Sequence, residues 1–397
     1  MHCTVGEKSL RPHERRGACS SMSGPLDGLV VADFSRVLAG PYATMLLADM
    51  GARVIKVERP GLGDDTRHWG PPYGPDGVAT YFAGVNRNKW SIALDLADPA
   101  DADLARGIIR RADILVENFK PGTLKRYGFG VDDCRALNPS LITCSITGFG
   151  ADAELPGYDL LAQAMGGLMS ITGTDQPTKV GVALVDVLTG LHAVTGVLAA
   201  LHERDRTGVG RHIDVNLLSS LLSAMVNQSA AYVLAGDVPE RMGNAHPSIA
   251  PYEVFNTADQ SMVIAVGNDA QFREFCQALS EPDLAEDKRF RTNAERVFHR
   301  AELVRIVEGA LAAATAREWQ SRLTKVGIPC GPINSIAQAF ELAAELGLEP
   351  IGGSVNNPEV AHPVRFDQTS VTYSSHAPAL DGNRADVVAF LADDATT

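Results

Sequence analysis

Positive charge is scarce in this sequence. Lys and Arg total 35 against 48 Asp and Glu, a formal net charge of −13. Such a surface repels nucleic acid and anionic membranes, so neither is expected as a partner. Long apolar runs are missing as well. A bilayer span needs roughly 18–20 apolar residues; the run Thr189–Leu201 is shorter and carries His192. No apolar stretch accompanies the charged residues Glu7, Lys8, Arg11, Arg15 and Arg16, so a secretory signal is not expected. The cysteines, at positions 3, 19, 134, 144, 276 and 330, form no CxxC pair. That argues against structural zinc and for reduced thiols in the cytoplasm. Residues 1–24 lack hydrophobic periodicity and are expected to be a disordered extension, with Met22 as an alternative start.

Core material is plentiful. The 397 residues are 45% hydrophobic and 21% charged, which fits one large domain or two ordinary ones. From Leu29 onward, short apolar runs alternate with helical spacing. Leu29–Phe34, Arg53–Glu58, Ser91–Leu94, Ile114–Glu117 and Leu141–Ile146 read as strands. Pro41–Met50, 98–111 and 131–137 read as intervening helices. This rhythm predicts a large doubly wound, Rossmann-like α/β domain over 25–225. Longer helices are expected at 158–170, 187–205 and 215–235. Near Gly236 the texture changes to Gly, Pro, Asn and His. Strands at Glu253–Asn256 and Met262–Val266, with helices at 270–279, 291–314 and 316–326, predict a smaller α+β domain over 226–335. Helices near 336–346 and 383–393 close the chain.

The first βα turn reads Asp33-Phe34-Ser35-Arg36-Val37-Leu38-Ala39-Gly40-Pro41. It has no GxGxxG, so NAD and FAD are not expected. Nor is there a GxxxxGK[ST] loop. Arg36, Arg59, Arg67, Arg87, Lys89, Lys120, Lys125 and Arg126 gather in the first third of an acidic chain. They read either as the site of a phosphate-bearing ligand or as solvated surface charge.

Asp186 lies inside the apolar run Gly181–Gly190. An acid there is costly to bury unless it is paired or used; it is a helix cap or a catalytic group. Asp159, after Tyr158, opens another helix and poses the same choice. His246 sits in a Gly/Pro loop, where structural roles outnumber catalytic ones. Cys330 has no base beside it and reads as a small buried residue in a rigid turn. Trp69, Tyr81 and Trp90 either line a pocket or pack a core.

Several separate blocks together resemble the family III CoA-transferases, the formyl-CoA and carnitine CoA-transferase group. They are Pro25–Gly28 leading to Asp33-Phe34 and Ala39-Gly40-Pro41; Gly51–Glu58; Asn88-Lys89 with Ser91-Ile92 and Leu94-Asp95; Ala112-Asp113; Val116–Phe119; Pro121-Gly122; and Gly327–Pro332. The resemblance runs from about Pro25 to the C-terminus.

It implies that Asp186 is a nucleophile. The carboxylate would attack an acyl-CoA thioester, and an aspartyl anhydride and then an aspartyl-CoA thioester would carry CoA to an acceptor acid. The substrates implied are an acyl-CoA and a carboxylic acid, with no metal, NAD or FAD. CoA contacts are expected at Val37, Arg59, Leu94, Asn118, Phe119 and Arg126. Tyr158, Asp159, Leu38 and Trp69 would line the reaction site, under a mobile loop, Gly243–Ser248, that contains Gly243 and His246.

The oxalate-using members carry Gln where this chain has Leu38, so oxalate is not expected. The related α-methylacyl-CoA racemases carry a His where this chain has Tyr158; a tyrosine is a poor base near neutral pH. A racemase-type isomerase and a non-catalytic acyl-CoA-binding protein are the alternatives. The family architecture implies an interlocked homodimer, whose large domain is completed by residues 336–397.

Overall fold

A computed structural model describes residues 24–153 and 155–393. The extension expected over residues 1–24 therefore lies outside the described residues, apart from Gly24.

Six parallel strands form the large sheet: β1 (Val30–Asp33), β2 (Arg53–Glu58), β3 (Lys89–Ala93), β4 (Ile114–Glu117), β5 (Ile142–Thr147) and β6 (His212–Asn216). Their spatial order is β3-β2-β1-β4-β5-β6. The helices α1 (Ala39–Asp49), α2 (Thr80–Asn86), α3 (Pro99–Arg111), α4 (Thr123–Arg126) and α5 (Val131–Leu137) connect the first five strands. Further on come α6 (Asp159–Met165), α7 (Leu168–Ile171), α8 (Leu184–Thr207) and α9 (Leu217–Ala224).

Parallel strands buried on both faces need apolar side chains in both directions. Val31, Val54 and Ile114 face one core with α1 and α8. Their neighbours Ala32, Ile55 and Leu115 face the other with α3, Cys134 of α5 and Val387 of the C-terminal helix Arg384–Ala392. Chain order reverses between β1 and β4, so the loops after these two strands diverge and leave a crevice at their carboxyl ends.

The C-terminal segment also closes the sheet edge at β3. Asn383 accepts the Ser91 N–H at 3.1 Å and Asp381 accepts the Ala93 N–H at 2.8 Å. An edge that would pair with another chain is thereby covered by side chains of its own.

A second core belongs to an antiparallel sheet of β7 (Tyr252–Asn256), β8 (Ser261–Ala265) and β9 (Cys330–Pro332). Phe255, Ile264, Phe272, Phe275 and Trp319 fill it. Cys330, expected as a small buried residue in a rigid turn, is half-buried and pairs with Ile264 as part of β9.

Other elements differ from expectation for local reasons. The helix expected over 215–235 begins only at Leu217, because residues 212–216 complete the large sheet and Asn216 caps the helix directly, its side chain accepting the Ser219 N–H at 2.8 Å. The expected 158–170 helix breaks at Gly167, whose φ is +88°. The expected 291–314 helix is split at His299 into Asn293–Phe298 and Arg300–Leu311. Helix α8, at 24 residues, is longer than the apolar run suggested, and is long and apolar enough to cross a membrane by length and composition. Here Val185, Ala193, Val197 and Leu201 on α8 pack into the first core.

Candidate active site

Asp186 is the third residue of α8 and is half-buried. It is not the cap: that position is Ala183, whose side chain makes no capping bond. The first N–H groups of a helix need acceptors, and here a different helix supplies them. Asp159, at the start of α6, accepts the N–H of Val185 at 2.8 Å and that of Asp186 at 3.3 Å through Oδ1. Its Oδ2 accepts a bond from Gln163 Nε2 at 2.6 Å. Gln163 is fully buried and also accepts the Val180 N–H at 2.9 Å, so it ties down the chain entering α8. Asp159 is therefore a cap, as one reading of the sequence allowed, but of α8 rather than of its own helix.

The electrostatics of Asp186 follow from this arrangement. Burial pushes its carboxyl up to about 7, and the like charge of Asp159 acts in the same direction. The Tyr81 phenol is raised as well, by burial first and then by Asp186 and Asp159. Tyr81 meets Trp69 edge-to-face at 5.3 Å between ring centroids. It also packs against the apolar cluster of Leu38, Met45, Leu46 and Val85, to which Ala183 at the mouth of α8 contributes. Leu38 is buried in that cluster, and Tyr158 is 61% exposed.

A second feature opens at the β1/β4 crevice. It is a cavity of about 260 Å³ whose lining includes Arg36, Arg59, Leu94, Leu96, Phe119 and Tyr127. Three expected CoA contacts, Arg59, Leu94 and Phe119, thus share one cavity. Asn118 flanks it: its amide accepts the Arg36 N–H at 2.9 Å and donates to the Arg36 carbonyl at 2.7 Å, fixing the first βα turn. Arg126 is exposed on α4 and bonds Thr123, which lines the cavity. Val37 sits at φ +70°, a conformation that a β-branched residue adopts only under constraint. The constraint is Asp64, whose carboxylate accepts the Val37 N–H at 3.2 Å.

Beneath this turn lies a network of buried ions. Lys56 bonds Asp64 at 2.9 Å and the Ser35 carbonyl at 2.9 Å. Lys89 bonds Asp33 at 3.0 Å. All four side chains are almost wholly buried. Burial opposes the Asp33 carboxylate, but Lys89, Lys56 and two hydroxyls hold it down at about 2. Asp64 is likewise lowered against burial, by Lys56.

The network changes the meaning of the basic cluster seen in the sequence. Lys89 is inside the protein. Arg87 pairs with buried Asp49 at 2.6 Å, and Arg67 with Glu58 at 2.6 Å. These cations balance internal carboxylates. Arg36 and Arg59 share the half-exposed Asp65 and remain at the cavity.

The loop with Gly243 and His246 is tied elsewhere. Gly243 N–H donates to the Gly173 carbonyl at 3.1 Å. His246 Nδ1 accepts the Ser248 N–H at 3.1 Å, and its ring lies against Tyr252. Gln163 and Asp64 were not among the expected site residues, and Arg36 was expected only as a member of the basic cluster. Gln163 sits one helical turn after Asp159, a spacing visible in the sequence; for Asp64 no sequence signal exists. Among the described residues no group of three or more His, Cys, Asp or Glu stands close enough to hold a metal ion.

A carboxyl raised to about 7 beside an aromatic–apolar wall suits nucleophilic or proton-transfer chemistry, and a cavity with Arg36 and Arg59 at its lining suits a phosphate-bearing ligand. Comparison with known proteins agrees. The profile of "CoA-transferase family III" matches residues 26–384. The chain is 43% identical to a succinate–glutarate CoA-transferase of Agrobacterium fabrum, over 92% of this chain and 96% of that protein. It is 41% identical to an acetyl-CoA:oxalate CoA-transferase of Acetobacter aceti, over 80% of this chain and 83% of that protein. A CaiB/BaiF family protein from Brucella suis, solved by crystallography, superposes with a TM-score of 0.84 at 41% identity, covering 93% of this chain and 100% of that one. The chain therefore belongs to CoA-transferase family III, enzymes that move CoA between an acyl-CoA and a carboxylate.

Proposed function

We propose that this enzyme exchanges CoA between an acyl-CoA and a dicarboxylic acid through covalent intermediates on Asp186. The observation that carries this reading is the Asp186 carboxyl itself, half-buried on the first turn of α8 and near neutrality. The ionised carboxylate attacks the thioester carbonyl. The C–S bond breaks, CoA leaves as thiolate, and an aspartyl–acyl anhydride remains. The thiolate then attacks the Asp186 carbonyl, releasing the donor acid and leaving an aspartyl-CoA thioester. The acceptor carboxylate attacks that thioester and expels the thiolate, which finally attacks the acceptor acyl carbonyl and frees Asp186. Each step forms one bond to the acyl carbon and breaks another, is redox-neutral and consumes no proton.

The same reading places CoA at the switch-point cavity. Leu94 and Phe119 offer apolar surface to a flat base, and Arg59 and Arg36 offer charge to phosphates. Val37, Asn118 and Arg126 frame it. The names of the two relatives suggest short dicarboxylates as acids. The apolar Leu38 favours one longer than oxalate, although one relative named for oxalate is 41% identical. A homodimer fits the exposed apolar surface of Tyr232, Val233, Leu234 and Ile336. A cytoplasmic site fits the free thiols at Cys134, Cys144, Cys276 and Cys330.

The test is mass spectrometry after mixing the enzyme with a panel of acyl-CoAs and trapping with hydroxylamine or borohydride. Modification of Asp186 by one donor, absent in Asp186→Ala, is the expected result. Solvent deuterium at the acyl α-carbon without modification of Asp186 would replace this reading with proton transfer.

A further inference from the structure

The bonds at the mouth of α8 do more than hold it in place. We propose that Asp159 is a positioning residue that closes the N-terminus of α8 and so sets the protonation state of Asp186. The proposal rests on the reading of Asp186 as the nucleophile.

The argument begins with what an uncapped helix would do. The N-terminal end of a 24-residue helix carries partial positive charge and free N–H donors. A carboxylate on that first turn would be held ionised and low. Here the donors of Val185 and Asp186 are taken by another carboxylate, whose charge adds to burial in opposing ionisation of Asp186. Gln163 fixes Asp159 from behind at 2.6 Å, and among the described residues no cation pairs with Asp159. A second carboxylate is thus held beside the nucleophile.

Other charges do not cancel it. Of the elements packed on α8, α6 supplies Asp159, and α1 supplies Tyr42 and Asp49, the latter bonded to Arg87 at 2.6 Å. β5 supplies Cys144, a buried thiol pushed up to about 12 and hence neutral. β6 supplies His212 and Asp214, paired at 3.2 Å just beyond the far end of α8. From α2, the neutral Tyr81 faces Asp186. The consequence is chemical. A more basic carboxylate is a stronger nucleophile and a poorer leaving group, at the cost of being partly protonated near pH 7.

The test is a direct titration of the Asp186 carboxyl by ¹³C NMR on the full-length enzyme, assigned by its loss in Asp186→Asn. The midpoint near 7 is expected to fall by about one pH unit or more in Asp159→Asn. Asp159→Ser, which keeps an oxygen without the charge, should do the same. Gln163→Met loosens the same turn but leaves the charge, and should leave the midpoint in place. In the pH profile of kcat/KM, activity at pH 6 relative to the plateau should rise from about a tenth to about a half in Asp159→Asn, following the ionised fraction.

An unmoved midpoint in both Asp159 variants overturns the proposal. So does an equal fall in Gln163→Met, because loss of burial would then suffice. A midpoint that moves while the kcat/KM profile does not would uphold the control of Asp186 and refute its role as nucleophile instead.

Discussion

The two halves of the site handle the same residue type in opposite ways. At the switch point, Asp33 and Asp64 are buried and held low. At the mouth of α8, Asp186 is pushed up to about 7. Burial acts on all of them in the upward direction. The difference is the partner: two lysines beneath the βα turn, another carboxylate beside Asp186. The first region is built to be rigid and electrically complete. The second is left electrically unbalanced, which is what the proposed nucleophile needs and a structural group avoids.

That contrast can be broken most severely at Asp186. Asp186→Asn should abolish turnover while leaving CoA affinity within about twofold, because the expected CoA contacts sit on other elements; calorimetric titration with CoA checks the second half. The same substitution should stabilise the fold at high pH. A carboxyl raised in the folded state contributes stability that is full below the unfolded value near 4 and lost as pH rises through about 7. The variant should therefore exceed the parent by about 1–2 kcal/mol at pH 8, after allowance for solvent screening, and match it at pH 4. Denaturant midpoints at the two pH values decide this, and equal stabilities at both would remove the contrast.

The balanced half should respond in the opposite sense. Lys56→Met leaves Asp64 buried without its cation and should cost about 3–5 kcal/mol in urea unfolding at neutral pH. Asp33, lowered from 3.8 to about 2, stabilises above its unfolded value, and that contribution is lost as pH falls toward 2. Smaller effects belong to the cavity rim. Arg59→Ala should weaken CoA binding by about five- to tenfold, with the weakening itself reduced at high salt, because its contribution is charge on an exposed side chain. Smallest of all, Val37→Gly should change stability by under about 1 kcal/mol, since relief of the +70° φ offsets the lost contacts of the side chain.

Much of this molecule could be read from its sequence where structure is local. Arg53–Glu58 and Ile114–Glu117 form strands with the bounds that their apolar pattern indicates. Residues 131–137 form the helix expected there. β6 was hidden because Ile213 and Val215 run straight into Leu217 with no turn between, so strand and helix share one apolar stretch. Lys89 looked like a ligand-binding cation because its partner, Asp33, is distant in sequence and meets it only across the folded sheet.

The sequence by itself determined the parallel α/β rhythm, the family blocks and the presence of an acid inside an apolar run, since each depends on neighbours within a few residues. Only the tertiary structure decided what those residues do. It turned Arg67, Arg87 and Lys89 of the basic cluster inward, bent Val37 against Asp64, and set Asp159 across the end of the helix that carries Asp186. Charge and hydrogen bonding act through space, and their consequences for a carboxyl depend on which atoms the fold brings within a few ångström of it.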